Sequence, residues 1–406
     1  MADGWQRNPH VWAAWAGGLL AALDGSIVPL ALYSMGQAFG SGLPSLQFVL
    51  LVYLLAVTVL VLPAGALADR WGPRRAYAAG LLVFLVGAGG AALAPGFPVV
   101  LVARLVQGIG AVLILAGHQA LLSLALPAER QARGFGLLHA AVGIGLLAGP
   151  LAGGPLIAAF GWRAGFLPQV AIGPLALGIL FTSQKTEREQ LSEIGAFRGL
   201  TAIASWPVLS GLLAAFLCFV AMAANMYLMP LFLQEALGYG PAGAGILLAT
   251  VPTVIILVAP VAGAWADRAG VRLPTTAGLL FVAAGVALMA RLQPGIAPFT
   301  VVGTLAVYGL GAALFQGPNN SSIVGAVPPA LAGRAAGALV VARNGGQVAG
   351  VALATTVWSA RGGGAAAYAE TFWLLAAVAA AAAIVAALRG ETRALLGHVA
   401  SQRAKA

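Results

Sequence analysis

Long apolar stretches recur along the whole chain and limit the folds that it can adopt. Each has about 18–25 residues, the length that an α-helix needs to cross about 30 Å of hydrocarbon. Hydrophobic residues make up 61% of the 406 residues, far more than in soluble domains. The sequence therefore predicts an all-α polytopic membrane protein with twelve transmembrane helices. The predicted spans are 11–34, 46–66, 76–94, 98–122, 134–158, 164–182, 207–233, 242–264, 274–291, 297–322, 335–358 and 367–388.

The distribution of basic residues predicts the orientation of these spans. Cytoplasmic loops of membrane proteins carry an excess of lysine and arginine. With the N-terminus inside, sixteen of the 21 basic residues lie on the inner side, three lie outside and two lie within spans. We therefore expect a multi-pass protein of the plasma (inner) membrane with both termini in the cytoplasm, and the arginine-rich, lysine-poor composition favours a bacterial source. Most of the basic residues behind the net charge of +10 would then lie beside anionic lipid at the inner surface. The charge therefore gives no support to nucleic-acid binding.

The two halves of the chain repeat the same pattern. GALADRWGPRR at 65–75 recurs as GAWADRAGVRL at 263–273, 198 residues later, and GIGA at 108–111 corresponds to GLGA at 309–312. The longest polar segment separates the two copies. A parallel repeat of this kind predicts a substrate site near the middle of the membrane. The predicted organisation is an N-terminal six-helix bundle at 1–182, a cytoplasmic linker at 183–206, and a C-terminal six-helix bundle with a short cytoplasmic tail at 207–406.

Of the eleven acidic residues, Asp24 is the one that lies deep inside a predicted span. Ionisable groups are costly within a membrane, so they mark functional sites or ion pairs. Counting about 1.5 Å per residue places Asp24 in the first span and Arg104 in the fourth at a similar depth. One interpretation is a structural ion pair that fixes the two helices. We favour a proton-coupling pair, with Gln107 as a hydrogen-bond partner, because burial favours a protonated carboxyl group and a nearby cation favours an ionised one.

The repeated loop follows the second span of each half. Its charges suit a turn that only fixes topology, but a carboxylate that pairs with arginine in one conformation and separates in another would act as a gate. Arg343, in the eleventh span, is expected to extend toward the cytoplasmic edge or to meet a loop carboxylate such as Asp69. The predicted cytoplasmic gate comprises Gly65, Asp69, Arg70, Gly72, Arg74, Asp267, Arg268 and Arg343.

The fifth predicted span carries a run of glycines. Gly145 and Gly149 lie four residues apart, as in helix pairs whose backbones approach closely. Pro150 removes a backbone hydrogen bond and kinks the helix. Helix packing alone would explain the glycines. The complete spacing, which continues through Gly153 and Gly154, favours a gating role.

Side chains that suit varied apolar ligands occur in the seventh and tenth spans. Methionine and aromatic side chains adapt to such ligands, although core packing also explains many of them. His118 and His139 do not have metal-site spacing, and a single cysteine, Cys218, excludes an internal disulfide. The predicted cavity residues are Gln107, Met222, Asn225, Met226, Tyr227, Tyr308, Phe315, Gln316, Asn319 and Asn320.

Several motifs resemble those of one transporter family. GALADRWGPRR resembles G-x-L-A-D-R-x-G-R-K, the signature loop of the major facilitator superfamily. RLVQGIGA at 104–111 resembles the fourth-span motif of proton-coupled exporters, and the glycines from Gly136 to Gly154 are similar to the fifth-span antiporter signature. LDGSIVPLAL at 23–32 and GWRAGFLPQ at 161–169 resemble motifs of drug:proton antiporters. The resemblance implies the major facilitator fold and proton-driven drug export. The motifs at 23–32 and 161–169 are most familiar from fourteen-span exporters, but here the central segment is too short and too charged to hold two extra helices.

The sequence features bear on three functional classes. The favoured class is a proton-coupled antiporter that exports drugs or amphipathic organic molecules by alternating access. The alternative is a proton symporter or facilitator for a small metabolite, because a fold does not set the direction of transport. An enzyme is not expected, because the sequence has no clustered ligands, P-loop or nucleophile motif. The expected partners are a small-molecule substrate, protons and the lipid bilayer. We expect a monomer without metal or cofactor, driven by the proton gradient.

Overall fold

The computed structural model describes residues 8–126, 128–182, 205–328 and 331–389. This part of the chain is built from α-helices joined by short turns, and it contains no strand. The helices are α1 Pro9–Phe39, α2 Leu43–Trp71, α3 Pro73–Ala92, α4 Phe97–Ala125, α5 Ala128–Phe160, α6 Leu167–Thr182, α7 Trp206–Leu231, α8 Pro241–Leu248, α9 Thr250–Ala269, α10 Arg272–Met289, α11 Pro298–Gly325, α12 Ala332–Ala360 and α13 Gly364–Ala387.

The helices confirm the twelve-span prediction. Among the described residues, eleven helical stretches are long and apolar enough to cross a membrane, and one of them, Pro241–Ala269, contains both α8 and α9. The remaining span is α12, whose 29 residues are long enough but include Arg334, Arg343 and Asn344. Most helices extend a few residues past the predicted spans, because a helix continues into the interface after its apolar stretch ends.

The chain forms two compact units. Unit 1 comprises Met1–Ile194 together with Leu233–Ala249, and unit 2 comprises Gly195–Phe232 together with Thr250–Ala406. The division falls at Phe232–Ala236, where a π-helical turn follows α7, and again between α8 and α9. The six-plus-six division of the sequence stays a prediction, and residues 183–204 of the predicted linker lie outside the described residues.

Glycines bring helix backbones into contact in unit 1. A Cβ atom at Gly87 of α3 would lie 2.5 Å from the backbone nitrogen of Gln107 in α4, and a Cβ atom at Gly80 would lie 2.7 Å from that of Ile114. Because neither glycine has a side chain, α3 and α4 pack with their backbones touching. This contact fixes how far α4 is rotated, and therefore the direction in which Arg104 and Gln107 point.

Unit 2 repeats this construction. A Cβ atom at Gly285 of α10 would lie 2.7 Å from the Cα atom of Tyr308 in α11, and one at Gly278 would lie 2.8 Å from the carbonyl oxygen of Gly311. Corresponding glycines thus allow close packing of corresponding helices, α3 with α4 in unit 1 and α10 with α11 in unit 2.

Candidate functional site

Four polar side chains form a buried network in the interior of unit 1. Asp24, Gln107 and Gln169 are 0% exposed, and Arg104 is 1% exposed. Nη1 of Arg104 donates to both carboxylate oxygens of Asp24, at 2.8 Å to Oδ1 and 3.0 Å to Oδ2, and also to Oε1 of Gln107 at 2.6 Å. The structure therefore brings together the three predicted side chains: the carboxylate of Asp24 in α1, and the guanidinium of Arg104 and the amide of Gln107 in α4.

The two carboxylate oxygens of Asp24 have different surroundings. Besides Arg104, Oδ1 accepts hydrogen bonds from Nε2 of Gln107 at 3.0 Å and from Nε2 of Gln169 at 3.1 Å. Among the described residues, Oδ2 accepts only the bond from Arg104. A proton would disturb fewer hydrogen bonds at Oδ2 than at Oδ1.

Helix α2 holds the other side of the Arg104 guanidinium. Nε of Arg104 donates to the carbonyl oxygen of Val49 at 3.1 Å. The guanidinium carbon lies 4.3 Å from the ring centroid of Tyr53, one turn further along α2. A buried ion pair is tolerated when its geometry is good and further hydrogen bonds satisfy its remaining polar atoms. Arg104 meets that condition through groups on α1, α2 and α4.

Sequence reasoning missed Gln169 as a member of the network. Gln169 lies near the start of α6, after the 3₁₀ turn Trp162–Phe166. One signal was available, because Gln169 ends the GWRAGFLPQ motif and is the single polar side chain before Thr182 in an otherwise apolar helix. The motif resembles a family pattern, but that pattern does not by itself indicate a site at its last residue.

The glycines of α5 contact two different helices within unit 1. A Cβ atom at Gly145 would lie 2.6 Å from the carbonyl oxygen of Leu19, and Gly149 and Gly153 lie against Ser26 and Ile27 of α1. On another side of α5, Gly154 and Pro150 lie against Pro241 and Gly245 of α8. Ser26 Oγ also donates to the carbonyl oxygen of Gly145 at 3.3 Å. The run therefore fixes α5 against α1 within one turn of Asp24.

The repeated loops form tight turns at the ends of helices. Gly72, between α2 and α3, has a φ of 83°, and Gly270, between α9 and α10, has a φ of 82°. Arg74 Nη2 donates to the carbonyl oxygen of Leu180 at the end of α6, at 3.1 Å. Partial burial raises the pKa of Asp69 above its ordinary value.

Other predicted gate residues are more open. Arg70, Asp267 and Arg268 are exposed, and Gly65 is half-buried with space around it. Among the described residues of unit 1, Asp69 forms no ion pair with Arg70 or Arg74.

The predicted cavity residues of unit 2 fall into two groups. Four are at least partly exposed, and five are buried, so the structure does not place all of them on one surface. Consecutive residues point in different directions on a helix. Met226 is therefore exposed, whereas the next residue, Tyr227, is buried beside Thr355. The exposed group is Met222, Met226, Gln316 and Asn320, and the buried group is Asn225, Tyr227, Tyr308, Phe315 and Asn319.

Asn319 has a partner that the sequence did not indicate. Nη1 of Arg389, just after α13, donates to Oδ1 of Asn319 at 2.9 Å, and Nδ2 of Asn319 donates to the carbonyl oxygen of Gly211 in α7 at 3.2 Å. Burial lowers the pKa of Arg389 to about 10, so its guanidinium stays charged at neutral pH. Asn319, which is 1% exposed, therefore links α11 to α7 and to Arg389 after α13.

Arg343 does not extend to the end of its helix. Its guanidinium carbon lies 4.7 Å from the ring centroid of Phe219 in α7. Phe219 is thirteen residues after Trp206, or about 20 Å along α7. The expectation that Arg343 snorkels to the cytoplasmic edge is wrong, because an aromatic face holds its side chain near the middle of a neighbouring helix.

His118 and His139 bond within their own helices. His118 Nδ1 lies 2.7 Å from the carbonyl oxygen of Ile114, and His139 Nδ1 lies 2.8 Å from that of Phe135. In the described ranges, no three His, Cys, Asp or Glu side chains are grouped so that they could hold a metal ion.

Comparison with known proteins gives relatives among membrane transporters. The chain is 28% identical over 378 residues to the riboflavin transporter RibZ of Clostridioides difficile, covering 81% of this chain and 83% of that protein. It is 28% identical over 394 residues to the multidrug resistance protein Stp of Mycobacterium tuberculosis, covering 83% and 73%. The crystal structure of a D-xylose-proton symporter superposes with a TM-score of 0.78 over 93% of this chain and 96% of that one, at 18% identity.

A family model covers most of the sequence. The model described as Major Facilitator Superfamily matches residues 14–351 and, in a second match, residues 212–405. These matches agree with the twelve-span fold and with the transporter relatives. The chain therefore belongs to the major facilitator superfamily of membrane transporters, is similar to members named for multidrug resistance, and is not an enzyme.

Proposed function

We propose that this protein is a proton-coupled antiporter that exports amphipathic organic molecules by alternating access. The single observation that carries the proposal is the buried Asp24–Arg104 ion pair, with its oxygen–nitrogen distance of 2.8 Å. Ionisable groups are retained inside membranes mainly where they do chemical work. The positive-inside pattern of the sequence further supports cytoplasmic termini, and the arginine-rich, lysine-poor composition supports a bacterial plasma membrane.

Proton coupling follows from the competition between a proton and Arg104 for the same carboxylate. With Asp24 ionised, Arg104 neutralises it and the network is complete. A proton at Oδ2 removes the charge that attracts Arg104, which then keeps its bonds to Gln107 and Val49. Protonation thus weakens the link between α1 and α4, and reforming that link releases the proton. A cycle of this kind couples proton movement to the position of α1.

Helix α5 contacts both α1 and α8, so a movement of α1 would also move α5 and α8. Gly145 and Gly149 lie against α1, and Gly154 lies against α8 in the same unit. Backbones in direct contact move together, because a packed interface has discrete arrangements and does not deform continuously. We therefore assign α5 the role of linking the protonation of Asp24 to α8.

An organic substrate is supported by two kinds of observation. The relatives are named for riboflavin transport and for multidrug resistance. In unit 2, Met222 and Met226 are accessible side chains of the kind that adapts to varied apolar ligands. Together they favour an amphipathic molecule over an inorganic ion.

Transport by purified protein in liposomes tests the proposal. A pH gradient is imposed, and the movement of lipophilic dyes of positive, negative and zero charge is followed. We expect gradient-driven dye movement with the unaltered protein and its loss in Asp24→Asn, which should still bind dye. Glu370→Gln is the matched control, because Glu370 also forms an ion pair, with Arg361 at 2.6 Å, but about half of its side chain is exposed.

Three outcomes would count against the proposal. If dye moves equally with and without the gradient, the protein is a facilitator. If Asp24→Asn keeps its coupling, another group carries the proton. Accumulation of dye on the side to which protons flow would instead indicate a symporter.

A further inference from the structure

Arg343 of α12 is a cation within a membrane span, and the described part of its unit offers it no carboxylate partner. The described part of unit 2 contains two carboxylates, Asp267 near the end of α9 and Glu370 of α13. Glu370 pairs with Arg361 at 2.6 Å, and Asp267 is exposed beyond the apolar part of α9. The guanidinium carbon of Arg343 lies 4.7 Å from the ring centroid of Phe219.

The position of Arg343 along the helices makes this unusual. Arg343 is eleven residues from the start of α12, which is about 17 Å along a helix of about 43 Å. Phe219 is at a comparable height in α7. A charge at this depth is costly unless it faces another charge or a water-filled space. Arg343 as a whole residue is partly exposed.

Close packing of α7 and α12 determines where the Arg343 side chain lies. Gly346 and Gly350 of α12 lie against the backbone carbonyls of Phe216 and Val220 in α7. Arg343 precedes this contact by one turn, so its side chain runs along α7 and not away from it. One face of its planar guanidinium is covered by Phe219.

A guanidinium held in this way keeps donors for a ligand. An arginine stacked on an aromatic ring still presents N–H groups along its edge, in a fork that matches the two oxygens of a carboxylate. Half-buried Gln347 follows Arg343 by one turn on the same side of α12. Its amide adds a donor beside the guanidinium.

Apolar side chains continue from this group along α7. Met222 and Met226 follow Phe219 at intervals of three and four residues, so the three side chains share one side of the helix. Met222 is half-buried and Met226 is 40% exposed. A flat apolar body would lie along these thioethers while its anionic end meets Arg343.

We propose that Arg343, Phe219 and Gln347 form an anion-recognition subsite, and that the transported molecules carry a carboxylate or a similar oxyanion on a flat apolar body. The proposal rests on the proposed transport function in that it names the substrate class of that function. Arg343 supplies the counter-charge, Phe219 orients it, and Met222 with Met226 accepts the apolar body.

A matched pair of fluorescent probes tests the subsite without transport. Dansylglycine carries a carboxylate, and dansylglycinamide has the same apolar body without the charge. Binding of each to purified protein in detergent is measured by fluorescence titration. We expect dansylglycine to bind about tenfold or more tightly than the amide, the difference that a hydrogen bond to a charged group makes. Arg343→Gln should reduce the difference to about twofold or less, with the amide bound as before.

Two variants separate loss of charge from loss of structure. Arg343→Lys should keep part of the preference, because it retains the charge but loses the planar fork. Arg291→Gln is the control, because Arg291 also lies over an aromatic ring, Trp373 at 5.7 Å, but is exposed. Thermal unfolding of each variant shows whether it is folded.

Three results would contradict the anion-recognition subsite. It is overturned if the unaltered protein binds both probes equally or binds neither, or if folded Arg343→Gln keeps the preference for dansylglycine. Because these titrations involve no proton gradient, a kept anion preference with gradient-independent transport would refute the proton-coupling proposal alone. Gradient-driven transport of neutral and cationic dyes, without an anion preference, would refute the subsite alone.

Discussion

Units 1 and 2 share a packing scaffold but differ in chemistry. Gly87 lies against the backbone of Gln107 in unit 1, and Gly285 lies against that of Tyr308 at the corresponding place in unit 2. Counting from these contacts, Leu305 of α11 corresponds to Arg104, and it is 0% exposed. Unit 1 thus buries a charge where unit 2 buries a leucine. Backbone contacts through glycine position the helices without depending on the neighbouring side chains, so those side chains are free to differ.

Charge is placed differently in the two units. Unit 1 neutralises its deep arginine internally with Asp24. Unit 2 carries Arg343 on α12, at the position that corresponds to Val142 of α5, and its described part offers no carboxylate to pair with it. An internally neutralised pair suits a proton, which can replace one partner. An arginine without a carboxylate partner suits a ligand that brings its own charge.

The largest expected effect comes from breaking the internal pair of unit 1. Arg104→Met should reduce the free energy of unfolding by about 3–5 kcal/mol, because it leaves a buried carboxylate without a counter-charge. Arg361→Met, which breaks the exposed pair of unit 2, should cost about 0–1 kcal/mol. Denaturant unfolding in detergent measures both. Similar losses for the two variants would mean that Asp24 reaches water in the folded protein.

The shared scaffold is tested by adding side chains at corresponding glycines. Gly87→Val and Gly285→Val should each lower the free energy of unfolding by about 1–3 kcal/mol or more, because the new atoms collide with a neighbouring backbone. Gly89→Ala and Gly303→Ala are controls, since no atom outside their own helices lies within 4 Å of an added Cβ. A large loss in one unit only would show that the two scaffolds are not equivalent.

A smaller effect is expected from Gln169, which stabilises the charged network of unit 1. Gln169→Leu removes a donor to Oδ1 of Asp24 and should cost about 1–3 kcal/mol of unfolding free energy. The cost should largely disappear when Asp24→Asn is also present, because the charge that Gln169 serves is then gone. Equal costs in both backgrounds, measured by thermal unfolding, would mean that Gln169 acts through packing alone.

The smallest effect concerns Asp69 in the first repeated loop. Partial burial raises the pKa of Asp69, so the folded protein favours the protonated carboxyl and is destabilised when Asp69 ionises. Asp69→Asn should therefore raise the melting temperature slightly at neutral pH. It should have no effect at a pH below the ordinary range of aspartate, where the carboxyl is protonated in both states. A lower melting temperature at neutral pH would instead indicate that the ionised carboxylate has a stabilising partner.

Much of the fold was predictable because its causes are local. A span is defined by the length and apolarity of consecutive residues, and all twelve predicted spans coincide with helices. The less apolar α12 was also predicted from its apolar stretch, and its glycines repeat those of α5 at a fixed interval. The pairing of Asp24 with Arg104 followed from depth alone, since few other charges lie within the spans.

Side-chain partners were harder to predict because they come from distant helices. Gln169 was missed, Arg389 was not connected with Asn319, and Arg343 was expected at a helix end and not over Phe219. In each case the partner lies on another helix and at least 70 residues away in the sequence. Helix rotation decides such contacts, and rotation depends on packing.

The sequence by itself determined that this chain crosses the membrane twelve times, that its halves repeat, and that a single carboxylate lies deep in the first span. These properties depend on the cost of placing polar groups in hydrocarbon, which acts on each segment separately. The tertiary structure alone decided which oxygen of Asp24 is left with one donor, and which aromatic ring holds Arg343. Those outcomes depend on how neighbouring backbones meet at glycines, which fixes the direction of every side chain nearby.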